Sequence, residues 1–143
     1  MVRFKNRYFV FNLTWKDGRL DETLNEAALL SVFRGCLQQT FGDYGLGSAL
    51  ASFQVKYYNP ISNVCMIRCS RDEYRKIWCA LTLITEINNR VVRIQMVHLT
   101  GTAKKCIELA QAKDTAVLAV MKLNKQQQIL AEAGIRKLEN VDI

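Results

Sequence analysis

Acidic side chains are missing from residues 1–16 and again from residues 87–107 of this 143-residue chain. The first stretch carries Arg3, Lys5, Arg7 and Lys16, the second Arg90, Arg93, Lys104 and Lys105. Segregation of one sign raises the local potential and draws polyanions, of which nucleic acid is the commonest. Apolar runs are short as well. The longest near-continuous one, residues 77–84, already contains Thr82, and a bilayer span needs roughly 20 apolar residues. Asn12, Thr14 and Lys16 interrupt the N-terminal apolar stretch, so no secretory signal and no membrane partner are expected. No C-x-x-C pair occurs among Cys36, Cys65, Cys69, Cys79 and Cys106. Odd in number and scattered, they read as small, reduced core residues of a cytosolic or nuclear protein.

Catalytic constellations are absent too. His98 is the only histidine, and it has no evident serine, cysteine or carboxylate companion in sequence. Cys65, Cys69 and His98 are poorly spaced for zinc. Asp17, Asp21, Asp43 and Asp72 fall at turns and caps, where such residues serve the backbone. A metal-dependent nuclease needs clustered carboxylates instead. The expectation is a chain with no active site, no metal and no cofactor of its own.

What is present fits one globular domain of 16.4 kDa, 50% hydrophobic, with a mean hydropathy of -0.03. The net charge is +7 and the pI about 9.3. Residues 8–15 are aromatic and β-branched and predict a first strand. Along an extended chain Arg3, Lys5 and Arg7 share a face with Phe9, Phe11 and Leu13. A face cannot be both cationic and buried, so residues 1–7 are expected to leave the sheet as a basic arm.

Lys16-Asp17-Gly18 is a turn, and Thr23-x-x-Glu26 has the form of a capping box. The stripe Leu29, Val32, Phe33, Cys36, Leu37 predicts a helix that ends at Gly42. Residues 50–58 alternate as a second strand, with Ala51, Phe53, Val55 and Tyr57 on one face. The turn at Asn59-Pro60, site of the only proline, leads to a third strand over residues 64–69. Ser70-x-x-Glu73 is a second capping box. It opens a helix that buries Tyr74, Ile77, Trp78, Leu81 and Ile84 and ends at Asn88-Asn89. Residues 90–99 alternate as a fourth strand. From Ala103 the chain is helical, with a recap at Asp114-Thr115 and an end at Gly134.

This order predicts an α+β, RRM-like or ferredoxin-like β-α-β-β-α-β sandwich with a four-stranded antiparallel sheet. The expected divisions are an arm over 1–7, the sandwich over 8–123 and a helical extension over 124–143. The third strand carries no aromatic residue, so it lacks the base-stacking signature of RNA-recognition motifs. An apolar sheet face cannot stay open to water, and the C-terminal helices are expected to cover it. RNA would then be gripped at edges, loops and helix ends.

Candidate contacts follow from charge and position. Arg3, Lys5 and Arg7 lie on the arm. Arg68 and Arg71 sit at a strand-to-helix corner, whereas Arg75 and Lys76 read as solvated. In residues 98–105, Thr102 is a good N-cap and Gly101 lets a ligand approach the backbone. Lys104 and Lys105 oppose the helix dipole unless a phosphate is bound there. The glycines of residues 42–47 follow a helix and precede a strand, the reverse of a phosphate loop, and predict a sharp connector.

Three segments carry a resemblance: Val2-Arg3-Phe4-Lys5-Asn6-Arg7-Tyr8, then Arg68-Cys69-Ser70-Arg71-Asp72-Glu73-Tyr74 with Trp78-Cys79-Ala80-Leu81, and His98-Leu99-Thr100-Gly101-Thr102. Over roughly residues 1–121 the chain resembles the Pop-five protein subunit family of ribonuclease P and ribonuclease MRP, in its eukaryotic form. Beyond Met121 the match fades, and the acidic tail of some members is absent. The resemblance implies a non-catalytic, nuclear and nucleolar subunit of a particle that removes 5′ leaders from precursor tRNA and processes ribosomal RNA. It implies that RNA does the chemistry, with Mg2+ held on RNA phosphates, beside a TIM-barrel-like and a small paralogous subunit. The expected RNA-binding residues are Arg3, Lys5, Arg7, Tyr8, Arg68, Arg71, His98, Gly101, Thr102, Lys104 and Lys105. Three alternatives stand beside it: a ribosomal or splicing protein of another particle, a small metal-dependent nuclease, and a ferredoxin-like oligomer that binds a metabolite.

Overall fold

The structure is a computed structural model and describes residues 5–19, 24–121 and 124–139. Its order is β1 (Asn6–Trp15), α1 (Glu26–Leu50), β2 (Gln54–Asn59), β3 (Val64–Ser70), α2 (Tyr74–Thr82), β4 (Glu86–Ile87), β5 (Arg90–Thr100), α3 (Ala103–Val120) and α4 (Lys125–Glu139). The strands form one antiparallel sheet in the order β2-β3-β1-β5-β4. The β-α-β-β-α-β frame is therefore present, with a fifth, two-residue strand where four were expected.

That extra strand arises because α2 ends at Thr82, before Asn88-Asn89. The two asparagines instead turn a tight hairpin, both with positive φ (52° and 64°), as type I′ turns require. Trp78, expected on the buried face, is 38% exposed, and Ile77, Ala80 and Leu81 make the contact.

Alternation along β1 sends Phe9, Phe11, Leu13 and Trp15 to one side, where they pack with Leu29, Phe33 and Leu37 of α1 and Ile77 and Leu81 of α2. Tyr8 and Val10 face the other side, with Val64 and Met66 of β3. Cys106 and Ala110 of α3 and Leu138 of α4 close over them. The C-terminal helices do cover the second sheet face.

Several local expectations change. β1 begins at Asn6, with Asn6 opposite Ser70 and Arg7 opposite Cys69. Asn6 and Arg7 are thus in the sheet rather than in an arm. The conflict between cationic and buried rows is resolved at the strand end, where the core under Arg7 runs out. Arg3 and Thr23 lie outside the described residues. The cap of α1 is Asn25, whose Oδ1 accepts from Ala28 N–H at 2.8 Å. Gly42, with φ 73° and ψ -174°, is non-helical and divides α1 into two helices, so the first ends there as expected, while residues 43–47 belong to the second and are not a connector. Ser70 Oγ accepts from Asp72 N–H at 3.2 Å, and α2 starts only at Tyr74 without a side-chain cap.

A bulge between Val55 and Tyr57 shifts the β2–β3 register. Tyr57 consequently faces α3, opposite to the face of Phe53 and Val55. Asp114 is buried within α3 rather than starting a new helix. Gly134 lies inside α4, where a Cβ would stand 2.8 Å from Asn59 Nδ2. Asn59 is fully buried, donates to Ala131 O at 3.2 Å and accepts from Ile61 N–H at 3.0 Å. Glycine is there because the hairpin turn presses against the helix.

Candidate nucleic-acid interface

The start of β1, the end of β3 and the end of β5 meet at one end of the sheet. Tyr8 lies opposite Arg68 on one side and Thr100 on the other. Lys5 extends the contact, since its carbonyl accepts from Arg71 N–H at 2.8 Å. Segments some 60 and 90 residues apart in sequence therefore share one corner. Lys5, Arg71, Lys104 and Lys105 are exposed there, and Arg7 and Arg68 are half-buried.

Arg7 ties the corner together. Its guanidinium donates to Asn6 O at 3.1 Å. It lies so close to Gly101 that a Cβ on the glycine would stand 3.3 Å from Nη1. Gly101 thus gives the Arg7 guanidinium room from within the chain, beyond the ligand approach expected of it. Arg7, Arg71, Asp72, Tyr74 and Arg75 line a hollow of about 380 Å³. Arg75, which the sequence alone assigns to solvent, donates to Tyr74 Oη at 3.2 Å and sits 5.7 Å from that ring. Its signal in the sequence was adjacency to Tyr74 in a segment already singled out.

A second hollow, of about 480 Å³, lies between Asn6, Ser48, Ser52, Arg68 and Ser70. Arg68 Nε is buried there without a hydrogen-bond partner among the described residues. The cation of Lys76 is engaged by Glu73, 3.1 Å away.

Thr102 occupies the N-cap position of α3, but its side chain makes no capping bond. Its carbonyl accepts from Cys106 N–H at 3.2 Å and from Thr100 Oγ1 at 2.9 Å. The first-turn N–H groups beside Lys104 and Lys105 therefore receive no capping acceptor from Thr102, an arrangement that favours an anion. His98 is exposed on β5 opposite Val10. Tyr8 is only 7% exposed, beneath α3. It supports the corner from inside and offers an RNA only a small exposed edge.

Arg90 belongs elsewhere. It pairs with Asp17 at 2.7 Å and lies 4.3 Å over the Trp15 ring, at the opposite end of β1. The Arg90 guanidinium holds the Asp17 carboxyl below its ordinary range. Among the described residues no group of three or more His, Cys, Asp or Glu side chains is arranged to hold a metal ion.

A three-layered α+β domain, with helices on both faces of one sheet and cations gathered at one corner, has the features expected of the class of proteins that grip nucleic-acid phosphates. Within that class the model of the Rpp14/Pop5 family matches residues 7–111, and the chain belongs to this family. It is 35% identical to a probable ribonuclease P/MRP protein subunit POP5 of Arabidopsis thaliana, over 96% of this chain and 92% of that protein. It is 34% identical to the ribonuclease P/MRP protein subunit POP5 of Schizosaccharomyces pombe, over 77% and 85%. A chain of a cryo-EM structure of yeast ribonuclease MRP shares the fold, with a TM-score of 0.53 at 8% identity, covering 98% of this chain and 95% of that one.

Proposed function

We propose that this chain is a non-catalytic protein subunit of the ribonuclease P and ribonuclease MRP ribonucleoproteins, where it binds and stabilises the catalytic RNA. The observation that carries this reading is the convergence of the three family-like segments on one cationic corner, in which Lys5, Arg7, Arg71, Arg75, Lys104 and Lys105 outnumber Asp72 and Glu73. Phosphates supply the binding energy, and the fixed spacing of the cations selects a folded RNA shape. With both sheet faces covered, single-stranded bases have no stacking platform.

The particle removes 5′ leaders from precursor tRNA and processes ribosomal RNA, in the nucleus and nucleolus. The chemistry rests on the RNA, with Mg2+ on its phosphates. A TIM-barrel-like and a small paralogous subunit are the protein neighbours.

The test is to tag the chain, purify it gently from its own cells and sequence the RNA that accompanies it. Enrichment of ribonuclease P or MRP RNA is expected. Enrichment of a ribosomal or spliceosomal RNA instead would discard the particle and keep the RNA binding. Recovery of no specific RNA would overturn the proposal.

A further inference from the structure

β5 is eleven residues long, yet β4 covers little of its outer side. Glu86 pairs with Val91 and Ile87 with Arg90, and Val92 N–H adds one bond to Thr85 O at 3.0 Å. Among the described strands none pairs with that side from Arg93 onward. The ladder fixes which backbone groups are left over. Leu13 N–H bonds to Asn63 O, away from β5. Its partner Ile94 is therefore a position where β1 and β5 exchange no bonds, and Ile94 directs its N–H and C=O outward. Met96, opposite Phe11, has the same direction. The bulge that follows, between the Phe11–Met96 and Val10–His98 pairs, ends the flat stretch.

Beside this edge the surface mixes apolar with polar side chains. Trp78, Thr82, Arg93, Ile94, Gln95 and Met96 line a hollow of about 490 Å³. Val91 and Leu83, at 46% and 58% exposure, lie exposed nearby in the chain, on β5 and just past α2. Monomeric proteins usually blunt such an edge. Alternating outward donors and acceptors match another polypeptide backbone, whereas RNA phosphates would satisfy only the donors.

We propose that the outer edge of β5 from Arg93 to Met96 docks an extended segment of a partner protein as an added strand. The partner seats an apolar side chain against Trp78 and sets an acidic one against Arg93. A second copy of this chain is the poorer occupant. At a net charge of +7, and with no acid between residues 87 and 107, it would bring cations against Arg93. The proposal stands whether or not the RNA reading does.

The test uses the assembled particle purified from its own cells. A photo-crosslinking amino acid at position 95, exposed on the same hollow, is expected to capture a defined acidic-apolar peptide of another protein. Amide exchange at Ile94 and Met96 is expected to slow at least about tenfold on assembly relative to the isolated chain. Trp78→Lys and Arg93→Glu, both at exposed positions, are expected to abolish that crosslink and that protection with the thermal midpoint of the isolated chain unchanged. Crosslinks to RNA or to a second copy, or equal exchange at both amides free and assembled, would overturn it.

Discussion

The phenol of Tyr57 donates a 2.8 Å hydrogen bond to Oδ2 of Asp114, while Ser62 Oγ donates to the other carboxylate oxygen. Asp114 is fully buried and has no cation partner among its hydrogen bonds. Burial pushes its carboxyl up to about 6, against the opposing pull of Ser62 and Tyr57. The same burial, with Asp114 alongside, pushes the Tyr57 phenol up. One helix is thereby clasped to the β2–β3 hairpin by a charge that the fold tolerates rather than prefers.

The pH dependence follows. A carboxyl whose folded pKa exceeds its unfolded value gives stability that is fully present below the unfolded pKa. That stability is lost as pH rises through the folded pKa. Between about pH 4 and 6 the unfolding free energy should therefore fall, by roughly 3 kcal/mol at most. Asp114→Asn keeps an acceptor for Tyr57 and should flatten that slope in denaturant titrations. Asp114→Leu strands two hydroxyls and should destabilise by about 2–4 kcal/mol at neutral pH. An unchanged slope in the Asn variant would show that another group titrates.

Gly101 and Arg7 should behave as one unit in RNA binding. Gly101→Val fills the space that the guanidinium occupies, so it should weaken binding about as much as Arg7→Ala. The double variant should be little worse than either single one, because neighbouring residues that share a role are not additive. Additive losses in filter-binding titrations would separate the two.

Joint replacement of Arg3, Lys5 and Arg7 by Ala should lower particle assembly and leave the fold intact. If the corner neutralises about six phosphates, affinity falls roughly a thousandfold from low to moderate salt. The triple variant should show a shallower salt slope. Equal slopes, with unchanged activity of the particle, would remove these cations from the interface.

Gly134→Ala should cost about 1–3 kcal/mol, since the new Cβ collides with a buried side chain that cannot move freely. Loss of protection from exchange should be concentrated in α4. A variant as stable as the parent would mean that Asn59 has room to turn.

Thiol labelling should order the cysteines by burial. Cys79 is exposed, whereas Cys65, Cys69 and Cys106 are buried, with thiols pushed up by burial, the last two to about 12. Alkylation near pH 8 should modify Cys79 rapidly, and these three only after unfolding.

Most of the frame was legible in the sequence because periodicity reports which face is buried. Strands β1, β3 and β5 and the stripe of α1 could be read in that way. The misplaced features are those where a single residue breaks a period. Alternation alone puts Tyr57 with Phe53 and Val55, and only the bulge at Lys56 sends it to Asp114. The Asn88-Asn89 pair carries a turn signal, yet the signal does not say whether a helix or a two-residue strand precedes it. At the corner the cations were visible individually. Arg75 reads as solvated and is exposed, but its exposure gives no sign of the hydrogen bond and ring contact it makes with its neighbour Tyr74. That Tyr8 lies beneath α3 was not legible, because a strand of buried residues gives no mark of where its cover begins.

The cationic corner is assembled from segments that begin near residues 5, 68 and 98, and the sheet register alone brings them together. An unfolded or half-folded chain holds the same charges without their arrangement. Specific RNA thus binds the native state and not the denatured one, and at a concentration a hundred times its dissociation constant it would add about 2.7 kcal/mol to stability. On the proposed reading the RNA stabilises the folded chain as any native-state ligand does, and the amount of free RNA would shift how much of the protein stays folded.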